Sequence, residues 1–176
     1  MKKSTFLFLL LLMNFAYAQV KWMSLEDAVE AQKNEPRKIM IDFYADWCGP
    51  CKIMEKNTFN HPVIAKYLNE NYYPVKFLAD GKEDITLFGR TFVNSGYREG
   101  KSRNSLHDFT KFMNVAAIPS TVFLDEQTMP ITILQGALTA KELEPYVKMI
   151  ENNDYKKIST REQWEAYQKK FKSTIK

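Results

Sequence analysis

One stretch limits what this chain can become more than any other. Ile39-Met40-Ile41-Asp42-Phe43-Tyr44-Ala45 is almost continuously apolar, too much so for a strand with one wet face, and reads as a strand buried on both sides. Asp42 interrupts it, an acid that burial desolvates and whose pKa burial raises. The run breaks at Asp46-Trp47 into Cys48-Gly49-Pro50-Cys51, after which Ile53, Met54, Asn57 and Thr58 fit one face of a helix. A strand that delivers two cysteines to a helix start suits dithiol chemistry, because the helix N-terminus favours a thiolate.

These are the only two cysteines in the chain. A bridge closing two intervening residues restrains the unfolded chain very little, so a purely structural staple explains the pair poorly. Cys48, first and at the helix start, is the candidate nucleophile and the thiol expected to be more exposed. Cys51, one turn in, is expected to be buried and to act as the resolving thiol. Pro50 suits an early helical position, where its missing N–H costs little.

The ends of the chain read differently from its middle. Lys2-Lys3, an apolar stretch from Phe6 to Met13 and a small-x-small site at Ala16-Tyr17-Ala18 have the form of a cleaved secretory signal over residues 1–18. The apolar stretch is short for a membrane span of about 20 residues. Export across an inner membrane to the periplasm is therefore expected. Without Lys2 and Lys3 the formal net charge falls from +4 to +2. That small excess, with no basic patch interleaved with aromatics, argues against a nucleic-acid partner. The length that remains suits one domain with a sizeable core.

From Gln19 the pattern alternates strands and helices. Val20 to Met23 predicts a short first strand, and Ser24 with Asp27 predicts a capped helix to about Asn34, ended by Pro36. Pro62 restarts a second helical run with His61 at the break, in a turn or capping role. Tyr72 to Asp80 reads as a strand joined to the first by a parallel crossover. Residues 81–103 form an insertion rich in Gly, Lys, Arg and Asn, with a small hairpin over Ile85 to Val93. It is either a flap beside the active site or a solvated decoration. Ser105 to Met113 predicts a helix burying Leu106, Phe109 and Phe112 or Met113, with His107 at the surface or capping. Met129 to Leu134 reads as an antiparallel edge strand whose proline suits an edge. Thr139 with Glu142 opens a last core helix. Residues 155–176 then form an amphipathic extension with Trp164, Tyr167 and Phe171 on one face, expected to dock on the chain's own fold.

Ile41 to Lys52 resembles the active-site segment of the thioredoxin superfamily. With Glu55, Thr58-Phe59 and Pro62-Val63 after it, the run from Tyr44 also resembles the C-terminal domains of the thiol:disulfide interchange proteins. The resemblance implies an α/β thioredoxin fold over 19–154: a central mixed sheet with helices on both faces, an insertion before a cis-proline loop and an extra C-terminal helix. Ile118-Pro119 matches that loop, although trans is the default for an X–Pro bond. The resemblance further implies that Asp42 assists deprotonation of the resolving thiol and that Lys76 accompanies it. It places Trp47, Gly49, Pro50, Ile118 and Pro119 at the substrate platform.

The function these features imply is an extracytoplasmic thiol–disulfide oxidoreductase that reduces or isomerises protein disulfides. The strongly oxidising relatives usually carry a His between the cysteines. Its absence here points to a potential nearer ~−270 mV than ~−120 mV. A reductant in an oxidising compartment needs a membrane-embedded electron donor. The Cys48–Cys51 disulfide would be the redox centre, with no other cofactor, no metal and a monomeric state expected. The alternatives are a redox-independent binding module or chaperone, and a thioredoxin of cytochrome c maturation.

Overall fold

A computed structural model describes residues 19–176 of the chain. The secretory signal expected over residues 1–18 lies outside these described residues. In chain order the elements begin with α1 (Leu25–Asn34), β1 (Lys38–Tyr44), α2 (Gly49–Met54), a π-helical turn (Glu55–Phe59), α3 (Pro62–Asn71) and β2 (Tyr72–Leu78). The hairpin β3 (Ile85–Leu87) and β4 (Arg90–Phe92) follows, then α4 (Asp108–Phe112), β5 (Ser120–Leu124) and β6 (Pro130–Gln135). Helix α5 (Ala140–Glu151), a 3₁₀ turn (Asp154–Lys157) and α6 (Arg161–Lys170) complete the described chain.

The central sheet has the order β2-β1-β5-β6. β1 and β2 run parallel, while β5 is antiparallel to β1 and to β6. This is the mixed sheet of the thioredoxin fold. β1 is buried along its length except at Tyr44, as its apolar run requires. Its side chains alternate between faces. Ile39, Ile41 and Phe43 join α1, the hairpin and α4 in one apolar cluster. Met40 points the other way, into a cluster with Phe59, Leu68 and Val147 from the π turn, α3 and α5. Asp42, two residues on, therefore faces the same side as Met40, beneath α2.

Local chemistry sets the helix starts. Ser24 accepts the Asp27 N–H at 3.0 Å, and Thr139 with Glu142 forms a reciprocal capping box. His61 caps α3, its Nδ1 accepting the Val63 N–H, with Pro62 at the first helical position. His107 likewise caps α4 through Nδ1 to the Phe109 N–H at 3.0 Å, while its Nε2 lies 3.0 Å from the Glu83 carbonyl. It is wholly buried, not at the surface, and burial holds its pKa below the ordinary value. That keeps the ring neutral, as one accepting and one donating nitrogen require.

Two expected elements differ. Val20 to Met23 forms a single bridge, Met23 to Val75, instead of a strand. The reason is a distant partner: the Lys21 N–H donates to the Asn69 side chain, and Asn69 donates back to the Gln19 carbonyl, so α3 satisfies backbone groups that a strand neighbour would have. The helix expected from Ser105 begins only at Asp108, because the His107 cap fixes its start. Phe112 is exposed, its ring packing at a tilt against Phe92 and Phe88 of the hairpin, and Met113 is buried in its stead.

Helix α6 lies on α5, with Trp164 stacked on Tyr146 at 4.5 Å between ring centroids. Beyond α6 the chain returns to α5, where Glu144 is buried and receives Lys148, the Ser173 and Thr174 hydroxyls and the Thr174 N–H. Burial alone would raise the Glu144 carboxyl, but those donors outweigh it and hold the pKa at about 2. An unfolded glutamate titrates near 4.5. The contribution to stability is thus complete above that value and is lost as pH falls toward the folded pKa. Glu144→Ala is expected to cost about 2 kcal/mol, read in urea melts. It should also speed amide exchange at Thr174 and Ile175; unchanged exchange there would show that Glu144 does not hold the tail.

Candidate active site

β1 ends against α2, and the turn between them carries the two cysteines. Cys48 is the cap of α2, and its Sγ accepts the Cys51 N–H at 3.2 Å. Gly49 and Pro50 form the first helical positions, and space is open beside the Gly49 Cα. The two cysteines are joined as a disulfide. Cys48 is 4% exposed and Cys51 5%, so the expected difference in exposure is absent in this oxidised state. Position distinguishes them instead. Cys48 sits at the amide-rich helix start, and Cys51 one turn in, facing the sheet.

Ile118-Pro119 is a cis peptide, as the resemblance implied. Ile118 packs on Ala45, Cys48 and Cys51, which brings the loop before β5 directly against the disulfide. The Pro119 carbonyl accepts the Gly136 N–H at 2.8 Å, fixing that loop to the end of β6. Ala116 and Ala117 beside it are exposed.

Beneath the disulfide lies a cavity of about 260 Å³, lined by Asp42, Tyr44, Cys51, Glu55 and Lys76 among others. Asp42 is 3% exposed, and its Oδ1 has no hydrogen-bond partner among the described residues. Desolvation raises its pKa to about 7; Lys76 opposes the rise and Glu55 adds to it. Asp42 and Lys76 are cross-strand neighbours in the β1–β2 register. The direct carboxylate partner of Lys76 is nevertheless Glu55, with which it forms an ion pair. The Lys76 ammonium also lies 4.8 Å from the Tyr44 ring centroid, and Trp22 Nε1 donates to Glu55 at 3.3 Å. Asp42 thus keeps a raised pKa, because burial outweighs Lys76, whose charge is shared with another acid.

Glu55 and Trp22 were not among the residues singled out as functional from sequence. Glu55 lies on the same side as Cys51 because it follows one turn later, a spacing that could have identified it. Trp47 is 37% exposed beside Cys48, and its indole N–H donates to Asp80 at 2.8 Å. The same Asp80 oxygen accepts the Asn104 N–H at 3.2 Å. The end of the insertion is therefore tied, through Asp80, to the residue that precedes the nucleophile position. Among the described residues, no group of three His, Cys, Asp or Glu side chains converges as a metal site.

A mixed β2-β1-β5-β6 sheet carrying a Cys-x-x-Cys disulfide opposite a cis-proline defines a thioredoxin-fold protein. The chain belongs to the thioredoxin-like domain family, whose profile matches residues 25–151. It is similar to the thiol:disulfide interchange protein DsbD of Pectobacterium atrosepticum, 25% identical over 127 residues, which cover 71% of this chain and 18% of that protein. DsbD of Escherichia coli K12 is 28% identical over 113 residues, covering 63% of this chain and 16% of that protein. The chain thus spans less than a fifth of the length of these curated relatives. Among solved structures, a thioredoxin-fold protein from Helicobacter pylori superposes with a TM-score of 0.57 at 13% identity, covering 75% of this chain and 82% of that one. At that identity the likeness speaks for the fold alone.

Proposed function

We propose that this protein is an extracytoplasmic thiol–disulfide oxidoreductase acting on protein disulfides, as a reductase or isomerase. The observation that carries the reading is the placement of the Cys48–Cys51 disulfide between the cis-Pro119 loop and the Asp42 cavity. The similarity to thiol:disulfide interchange proteins and the signal-like residues 1–18 support an oxidising compartment outside the inner membrane.

In the reduced enzyme the Cys48 thiolate, favoured by the amides of the helix start, attacks one sulfur of a substrate disulfide. The S–S bond breaks, and the departing substrate thiolate takes up a proton. Trp47, Gly49, Pro50, Ile118 and Pro119 surround the mixed disulfide, and the exposed backbone before Pro119 receives the substrate in extended form. Cys51 then loses its proton to the Asp42 carboxylate, through water in the cavity, which has room for several molecules. The Cys51 thiolate attacks Cys48 Sγ and expels the second substrate thiolate. That second thiolate takes up the proton that Asp42 received, and the first took its proton from solvent; two electrons pass to the substrate, and the enzyme is left as its disulfide. Lys76 holds Glu55 and moderates the Asp42 pKa, a positioning role. A dithiol donor, of which a membrane-embedded protein is the expected kind, restores the reduced form.

The purified protein should accelerate insulin reduction by dithiothreitol. No acceleration, together with no covalent adduct to any protein disulfide, would exclude the enzymatic reading. A redox titration should give a potential nearer ~−270 mV than ~−120 mV, and a value above ~−180 mV would overturn the reducing direction.

A further inference from the structure

The insertion over residues 81–103 reaches the site through one side chain. Arg103 sets its guanidinium carbon 4.4 Å from the centroid of the Trp47 ring. The neighbouring Asn104 N–H is held by Asp80, which also holds the Trp47 indole, so ring and guanidinium are positioned by the same buried carboxylate. Asn94 strengthens the anchor by donating to the Gly81 and Ser105 carbonyls at 2.9 and 2.8 Å. Of the other cations of the insertion, Lys82 pairs with Glu99, Arg98 donates to the Ser95 and Tyr97 carbonyls, and Arg90 lies over the Phe92 and Phe112 rings. Among the described residues no carboxylate lies within ion-pair distance of Arg103, and its guanidinium donates no hydrogen bond.

A guanidinium stacked on an aromatic face keeps its N–H donors in the plane, where they can grip a carboxylate with two parallel hydrogen bonds. The stack also removes much of the side chain's rotational freedom before any ligand arrives. We propose that Arg103 is a specificity-determining residue that recognises an acidic side chain of the substrate polypeptide close to the disulfide under attack. The inference rests on the thiol–disulfide reading above and names the class of substrate that reading left open. Trp47 serves both as the floor beside Cys48 and as the platform that aims the arginine. A carboxylate bound there sits one residue from the nucleophile position, so it biases which cysteine-containing segments dock productively.

The test uses short disulfide-bridged peptides, identical except for Glu or Gln placed at successive positions on either side of the attacked cysteine. With the wild-type protein at low salt, the best-placed Glu peptide should be reduced about fivefold faster, in kcat/KM, than its Gln counterpart, the upper end for a partly exposed ion pair. That ratio should fall toward one at about 1 M salt. Arg103→Gln should abolish the ratio, and Arg103→Lys, which keeps the charge and loses the fork, should retain only part of it. A merely structural role would slow both peptides equally and leave the ratio intact, which would overturn the proposal. Reduction of both peptides with no preference at any position would also overturn it while leaving the thiol–disulfide activity standing. Failure to reduce either peptide, or a small neutral disulfide, would remove both readings.

Discussion

Replacing Cys51 with serine is expected to leave a protein that attacks a substrate disulfide once and then keeps it. The Cys48 thiol still forms the mixed disulfide, but no second thiol stands one helical turn away to resolve it. Turnover in the insulin assay should fall by roughly three orders of magnitude, the scale on which covalent catalysis fails when one of its thiols is gone. Covalent adducts should accumulate and disappear on treatment with dithiothreitol, visible on non-reducing gels and by mass. Cys48→Ser should lose turnover equally and trap nothing, because Cys51 faces the cavity and the sheet. Adducts on Cys51 in that variant, with none on Cys48 in the other, would reverse the assignment of roles.

Asp42→Asn should separate the acid's effect on rate from its effect on stability. Folded Asp42 holds its proton up to about pH 7, whereas an unfolded aspartate loses it near 3.8. Between those values the folded state binds more protons, so stability falls as pH rises. The variant should lack that fall and be more stable than wild type at pH 8 by about 2 kcal/mol. That is less than the full shift would give, since a buried amide brings its own desolvation cost. Its turnover should drop about a hundredfold, the usual scale for a lost general base, and the wild-type rise in rate through pH 7 should vanish. A variant with wild-type turnover and the same rise through pH 7 would assign the proton transfer elsewhere. Glu55, the other acid of the cavity, would be the next residue to replace.

Much of this architecture was legible because short-range chemistry and burial agree. The apolar run at β1, the Ser24 and Thr139 caps and the Pro130 edge strand all follow from patterns within a few residues. The cis bond at Pro119 did not follow from the residues alone; only the resemblance to the thioredoxin superfamily predicted it. What escaped depends on distant partners. Nothing near Val20 reveals that Asn69, about fifty residues away, satisfies the backbone of the expected first strand. Lys76 was placed with Asp42 by register, and the register is observed, but the ion pair goes to Glu55 because the π turn brings that carboxylate over the strand. Asp80 read as the end of a strand. Its second use, holding Trp47 and Asn104 together, exists only once the chain has closed on itself.

Asn94 gives the insertion one last property. Its side-chain amide joins Gly81 to Ser105, the two feet of the excursion, so the intervening residues leave and return at nearly the same point. Closing a loop whose ends already meet depends only weakly on how many residues it contains. Ile85, Leu87 and Phe92 of the hairpin pack in the core and Asn94 makes the ties, so the part open to exchange is the exposed stretch over residues 98–102. Foreign sequences of different length could be spliced there with β1, α2, the hairpin and the cis-proline loop left alone, one reactive scaffold carrying many interchangeable readers.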